Sequence, residues 1–176
     1  MFYGERRPNV PAKRELAVGA LEQAVAMAHA AEVGDYHVGF KAWEAFIDAV
    51  AALDAANDKT RKEALGGNAW IYECLAQYRD SAARYLRGIA GEFPPEAAAR
   101  LRKAADLYDQ LANHVLRDEE HCVVTVAPYA FFLKEGETWT AERRAEQVRR
   151  LQAAFPLERR AVHEIEEALR EIRPAA

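Results

Sequence analysis

The chain has 176 residues, 51% of them hydrophobic and 30% charged, with a formal net charge of −4. That length and apolar fraction suffice for one domain with its own core and no disulfide support. Charges of both signs are interspersed, which excludes the basic stripe of a nucleic-acid binder and an acidic tail.

The two cysteines, Cys74 and Cys122, have the spacing of neither a zinc knuckle nor a redox pair. Both fall among apolar residues, which fits inert buried thiols and a cytoplasmic location. The N-terminal stretch Met1 to Glu15 is charged, holds Pro8 and Pro11, and lacks the apolar core of a signal peptide; residues 1–10 read as an extended arm. No later segment is apolar enough to span a bilayer, so no membrane partner is expected.

At 100° per residue, Ala17, Val18, Leu21, Ala24, Val25 and Ala28 share one face of a helix over about residues 11–32, stopped by Gly34. A second helix, from about Asp35 as its N-cap to Ala56, gathers Tyr36, Phe40, Trp43, Phe46, Ile47, Val50 and Leu53. Gly39 interrupts that stripe, where a helix former would be favoured, and its expected use is to let another backbone approach closely.

Thr60-x-x-Glu63 reads as a capping box opening a third helix, which Gly66 and Gly67 interrupt. Beyond them Ile71, Cys74, Leu75, Tyr78, Ala82, Tyr85, Leu86 and Ile89 form the stripe expected in the core, tyrosines included, up to Gly91 and Pro94-Pro95. Pro95 opens a fourth helix with Ala97, Leu101, Ala104, Ala105, Tyr108, Leu111, Ala112 and Val115 on one face.

The β-branched stretch 122–126 has no strand partner in sight and is assigned to a loop or irregular helix end. Pro128 and Gly136 bracket a short apolar run, Tyr129 to Leu133. Thr138 or Thr140 then caps a final pattern running to Ile172, which Pro156 is expected to kink or divide.

Polar residues that project onto apolar faces are informative, because a buried charge without a partner is costly. Glu158 lies near the middle of the arc formed by Val148, Leu151, Phe155, Val162, Ile165 and Leu169, and Arg79 lies at the edge of the arc of Leu75, Ala82 and Leu86. The two are expected to meet as a bidentate interior ion pair that fixes how the last helix docks. The functional alternative makes Arg79 an anion clamp in a small-molecule pocket lined by Trp43, Asn68 and Tyr72.

His114, Asp118 and His121, spaced i, i+4 and i+7, have the facial spacing of helical metal ligands. The outer two stand about 10 Å apart along a helix, so a site there would need His163 or Glu164 from elsewhere. A di-iron bundle would require two E-x-x-H turns and two more glutamates, and only Asp118-x-x-His121 is present. There is no phosphate-binding loop or dinucleotide fingerprint, and no cofactor is expected.

The run Gly39-Phe-Lys-Ala-Trp43-Glu-Ala-Phe, then Gly67-Asn68-Ala-Trp70, then Tyr78-Arg79-Asp-Ser-Ala-Ala-Arg-Tyr-Leu86, resembles the helical region following the papain-like domain in bacterial proteins similar to the butirosin biosynthesis acyltransferase. The closing Glu158-Arg-Arg-Ala161-Val-His-Glu-Ile165-Glu-Glu-Ala-Leu169 is similar to the end of that region. The matches are loose spacings of Gly, Trp, Arg and Glu over nearly the whole chain. No papain-like domain precedes them in this sequence, so no catalytic Cys or His carries over; Gly39, Trp43, Arg79 and Glu158 match positions that recur in the pattern. The resemblance implies a free-standing accessory helical domain.

The fold expected is all-α, an irregular antiparallel bundle of about six or seven helices. The leading functional expectation is a non-catalytic binding or interaction module holding a small organic ligand or a protein partner. The alternatives are a metal-dependent bundle enzyme using His114, Asp118 and His121, and a structural oligomerisation domain, with homodimerisation compatible with either non-catalytic reading.

Overall fold

The structure, a computed structural model, describes residues 11–117, 126–128 and 139–173. Five α-helices lie among the described residues: α1 (Lys13–His29), α2 (Gly39–Ala52), α3 (Asp58–Ile89), α4 (Pro95–Asp109) and α5 (Ala141–Ile172). A 3₁₀ turn, Ala90–Glu92, follows α3, and a π-helical segment, Gln110–Leu116, extends α4. None of these helices is long and apolar enough to cross a membrane.

The all-α expectation holds, with five α-helices among the described residues where six or seven helices were expected. Gly66 and Gly67 do not interrupt α3, because Leu65, Asn68 and Ala69 around them are buried and packing outweighs a propensity cost of about 1 kcal/mol per glycine. Pro156 does not divide α5. It lies on the solvent side, as does Gln152, whose carbonyl loses its helical donor and can turn to water. The run Tyr129 to Leu133 lies outside the described residues.

Between α1 and α2 the chain makes a small hairpin rather than a helix start. Strand β1 (Glu32–Val33) pairs antiparallel with β2 (Tyr36–His37), Val33 opposite Tyr36. Gly34, at φ +59°, takes the first turn position, where a two-residue hairpin favours glycine. Asp35 is therefore in the turn and is not an N-cap; Val38 is the N-cap of α2, and Tyr36 is exposed. Gly39 has φ +56°, and a Cβ there would lie 2.2 Å from the Ala28 carbonyl oxygen and 2.3 Å from that of Met27. The close backbone approach expected at Gly39 is thus present, between the end of α1 and the start of α2.

The α3 cap also differs from expectation. Asn57 is the N-cap, its side-chain oxygen accepting from the Thr60 amide at 2.9 Å, so Thr60 sits inside the first turn. Thr140 caps α5 by accepting from the Arg143 amide. Pro95 opens α4, whose expected face from Ala97 to Ala112 is buried.

The buried face of α3 is turned about 100° from the one periodicity selects. It carries Leu65, Asn68, Ala69, Tyr72, Ala76, Ala83, Leu86 and Ile89, while Ile71, Tyr78 and Tyr85, together with Trp70, are exposed and Cys74 is only partly buried. The reason is a heptad of small residues. Ala69, Ala76, Ala83 and Ala90 recur every seven residues at 0% exposure, as do Ala154, Ala161 and Ala168 on α5 and Ala97 and Ala104 on α4. Alanine seams let helix axes come closer than tyrosine would, and α4 packs closely against both α3 and α5.

Gly39→Ala is expected to cost more than about 2 kcal/mol, combining the left-handed penalty with a backbone clash. Gly66→Ala, helical and with open space at its Cβ, should gain about 0.5–1 kcal/mol. Chemical denaturation of the two variants checks the opposite signs.

Candidate functional site

Three core positions of the heptad pattern carry polar side chains at one level of the bundle: Arg79 on α3, Tyr108 on α4 and Glu158 on α5. Arg79 follows Tyr72 and precedes Leu86 at seven-residue spacing, and Glu158 stands midway between Leu151 and Ile165. Each side chain therefore points inward for the same reason as its apolar neighbours. Arg79 Nε donates to Glu158 Oε2 at 2.9 Å and Nη2 donates to Oε1 at 2.7 Å, a bidentate pair. Glu158 is 5% exposed and the Arg79 side chain 24%.

Burial alone would pull the Arg79 pKa down, but the charge and hydrogen bond of Glu158 outweigh it and hold it above the ordinary arginine value. Burial, with Glu158 adding to it, pushes the Tyr108 phenol far up, so Tyr108 stays a protonated donor. Behind the pair, the Arg79 guanidinium lies 5.8 Å from the Trp43 ring centroid, and Trp43 stacks on Phe155 at 5.8 Å. Trp43 Nε1 is buried without a hydrogen-bond partner among the described residues.

A cleft of about 260 Å³ opens over this layer, where α1 and α2 approach α3 and α5. Its walls are Met27, Gly39, Tyr78, Ala82 and Val162, and its floor is Arg79, Tyr108 and Glu158. No described residue hydrogen-bonds the Tyr108 hydroxyl or Arg79 Nη1. The floor thus has balanced charge and two donors to spare.

Of the four residues singled out for a pocket, the structure brings Trp43 and Arg79 together. Asn68 and Tyr72 do not line the cleft. Asn68 makes a reciprocal amide pair with Gln147 (3.1 and 2.7 Å), and the Tyr72 hydroxyl donates to the Leu116 carbonyl at 3.0 Å. Both are consumed in holding α3 to α5 and to the π-helical segment.

His114 lies on that segment, beside a hollow of about 380 Å³ that it lines with Arg117, Glu146, Arg149 and Arg150. Asp118 and His121, its expected companions, lie outside the described residues, as does Cys122. His163 is paired with Glu166 and Glu167, and Glu164 accepts from Lys103 at 2.7 Å and Arg100 at 2.9 Å. No group of three His, Cys, Asp or Glu side chains gathers among the described residues.

Sequence reasoning missed Gln147, Arg144 and the part played by Tyr108. Arg144 is 6% exposed and donates from Nε to Asp54 at 2.7 Å and to the Trp139 carbonyl, tying the start of α5 to the end of α2. The signal was available: Arg144 continues the seven-residue line of Leu151 and Glu158, and Gln147 that of Ala154 and Ala161.

No family model, no curated protein and no solved structure matches the chain.

Glu164 gives the clearest pH dependence. Burial would raise its pKa, but the hydrogen bonds and charges of Lys103 and Arg100 hold it below the ordinary 4.5. A depressed folded-state pKa contributes stability that is complete above the unfolded value and is lost as pH falls through the folded one. Glu164→Gln should therefore cost on the order of 1 kcal/mol at neutral pH. The deficit should shrink between about pH 5 and pH 3 in urea titrations; a deficit independent of pH would show that the charge contributes nothing.

Proposed function

We propose that this chain is a non-catalytic helical binding module whose site is the cleft over Arg79, Tyr108 and Glu158. The single observation that carries the reading is the floor of an open, apolar-walled cleft on which the phenol of Tyr108 and the guanidinium of Arg79 each present a donor that no described residue takes. Both donors face the cleft, where a bound acceptor can take the place of the water that otherwise satisfies them.

The charge balance selects the ligand class. Glu158 already neutralises Arg79, so an anion would bring a second negative charge beside Glu158 and a cation would face Arg79. A small, mainly apolar molecule with a neutral acceptor such as a carbonyl fits best, its acceptor toward Tyr108 and Arg79 and its apolar part between Met27, Tyr78 and Val162. The positions on which the resemblance to the accessory helical region rests support the same location: Gly39, Arg79 and Glu158 line the cleft and Trp43 backs Arg79.

The test is a thermal-shift screen of neutral carbonyl fragments, with carboxylate and amine analogues for comparison, since a ligand selective for the folded state raises Tm by mass action. Neutral carbonyl compounds should give the larger shifts. Tyr108→Phe, which removes an unpaired hydroxyl, should leave Tm of the free protein within a few degrees and abolish those shifts. Shifts that survive both Tyr108→Phe and a cleft-filling Val162→Phe would place binding elsewhere.

A further inference from the structure

The outward face of α3 is unusual in a chain that is 30% charged. From Ala64 to Gly88 the arc opposite the alanine seam holds Gly67, Trp70, Ile71, Cys74, Tyr78, Ser81, Ala82 and Tyr85 and no charged side chain. The charged residues of that stretch, Glu73, Arg79, Asp80, Arg84 and Arg87, all project outside the arc. Trp70 is 64% exposed, Ile71 50%, Tyr78 64% and Tyr85 45%. Single exposed apolar residues need no explanation, but a continuous aromatic stripe about 25 Å long marks an interaction surface.

We infer that this face pairs with the same face of a second copy, the two α3 helices running antiparallel about a two-fold axis near Tyr78. Three features select a second copy. First, the stripe offers no charge by which a partner of opposite sign could be chosen. Second, it matches itself. Its large side chains Ile71, Tyr78 and Tyr85 recur every seven residues, with the small Cys74, Ser81 and Ala82 between them. Reversal about Tyr78 sets Ile71 against Tyr85 of the other copy and Cys74 against Ala82, as an isologous interface requires.

Third, the area is of the right order. At these exposures the four large side chains contribute about 450 Å² per copy, over half of the roughly 800 Å² per partner in a standard interface. Met27, 41% exposed and in the wall of the cleft that Tyr78 and Ala82 also line, extends the same surface. Pairing would bring the second copy's α3 to the mouth of that cleft, although the inference stands independently of any ligand.

Sedimentation velocity of the full chain without ligand tests the pairing. The expected result is a concentration-dependent species of twice the 19.7 kDa chain mass. Tyr78→Glu should convert it to a monomer with unchanged helical circular dichroism. Ala82→Cys should yield a disulfide-linked dimer through Cys74 of the other copy on diamide treatment, whereas the wild-type chain, with its Cys74 residues about 12 Å apart along the axis, should cross-link far less.

A monomer at every concentration overturns the inference. So does a dimer that survives Tyr78→Glu, since it must use another face. A monomeric wild type in which Tyr78→Glu sharply lowers Tm would mean that a segment of the chain itself covers the stripe, which also overturns it.

Discussion

The arrangement of the bundle depends on the pairing of Arg79 with Glu158. Seams of alanine and leucine repeating every seven residues favour close packing, but they match almost as well when one helix slides by a heptad. A polar group at one core position removes that freedom, because a slipped register buries an unpaired charge at a cost of several kcal/mol. Asn68 with Gln147 forms a second rung. Residues 68 and 79 on α3 meet 147 and 158 on α5, so the rungs are eleven residues apart on each helix and the two helices run parallel. α4 and its π-helical extension fill the space between them, antiparallel to both: Tyr72 reaches Leu116 while Arg87 reaches Asp106, and Arg150 reaches Leu116 while Glu164 reaches Arg100.

The same geometry produces the cleft. Where α4 meets α3 and α5 the seams are alanine and the helices close up. α3 and α5 instead reach each other through long polar side chains, and over Arg79 and Glu158 the space between them is bordered by the end of α1 and the start of α2. Gly39 allows that meeting by admitting the Met27 and Ala28 carbonyls. The Arg79–Glu158 pair therefore both fixes the register and floors the cleft, and the Tyr108 hydroxyl beside it takes no part in the pair.

What could be read from the sequence follows from how strong each local signal is. A carboxylate and a guanidinium on apolar arcs are hard to explain except as mates, and their meeting was legible. So was the α4 face, where Leu101 and Leu111 mark the buried side plainly. The α3 face was not, because aromatic side chains outweigh alanine in any measure of hydrophobic periodicity, although only alanine permits the close approach that tertiary packing requires. Gly66, Gly67 and Pro156 carry local penalties of a few kcal/mol at most, which burial on both sides of each exceeds. The hairpin at Gly34 has two-residue strands, too short for any alternation to register. Polar Asn68 and Gln147 follow the same rule as Glu158; Asn68 reads as a pocket residue only while Gln147, an uncharged mate on the same arc as Ala154 and Ala161, goes unnoticed.

A double-mutant cycle at Arg79 and Glu158 tests the central claim most directly, with the apolar replacements Arg79→Met and Glu158→Leu measured singly and together by urea denaturation. If the pair fixes the docking of α5, each single change strands a buried partner and costs about 3 kcal/mol, and the double variant recovers much of that, giving a coupling of about 2 kcal/mol or more. Costs that simply add, with the double variant as unstable as both changes together, would show that the two side chains contribute separately and that the register is set elsewhere.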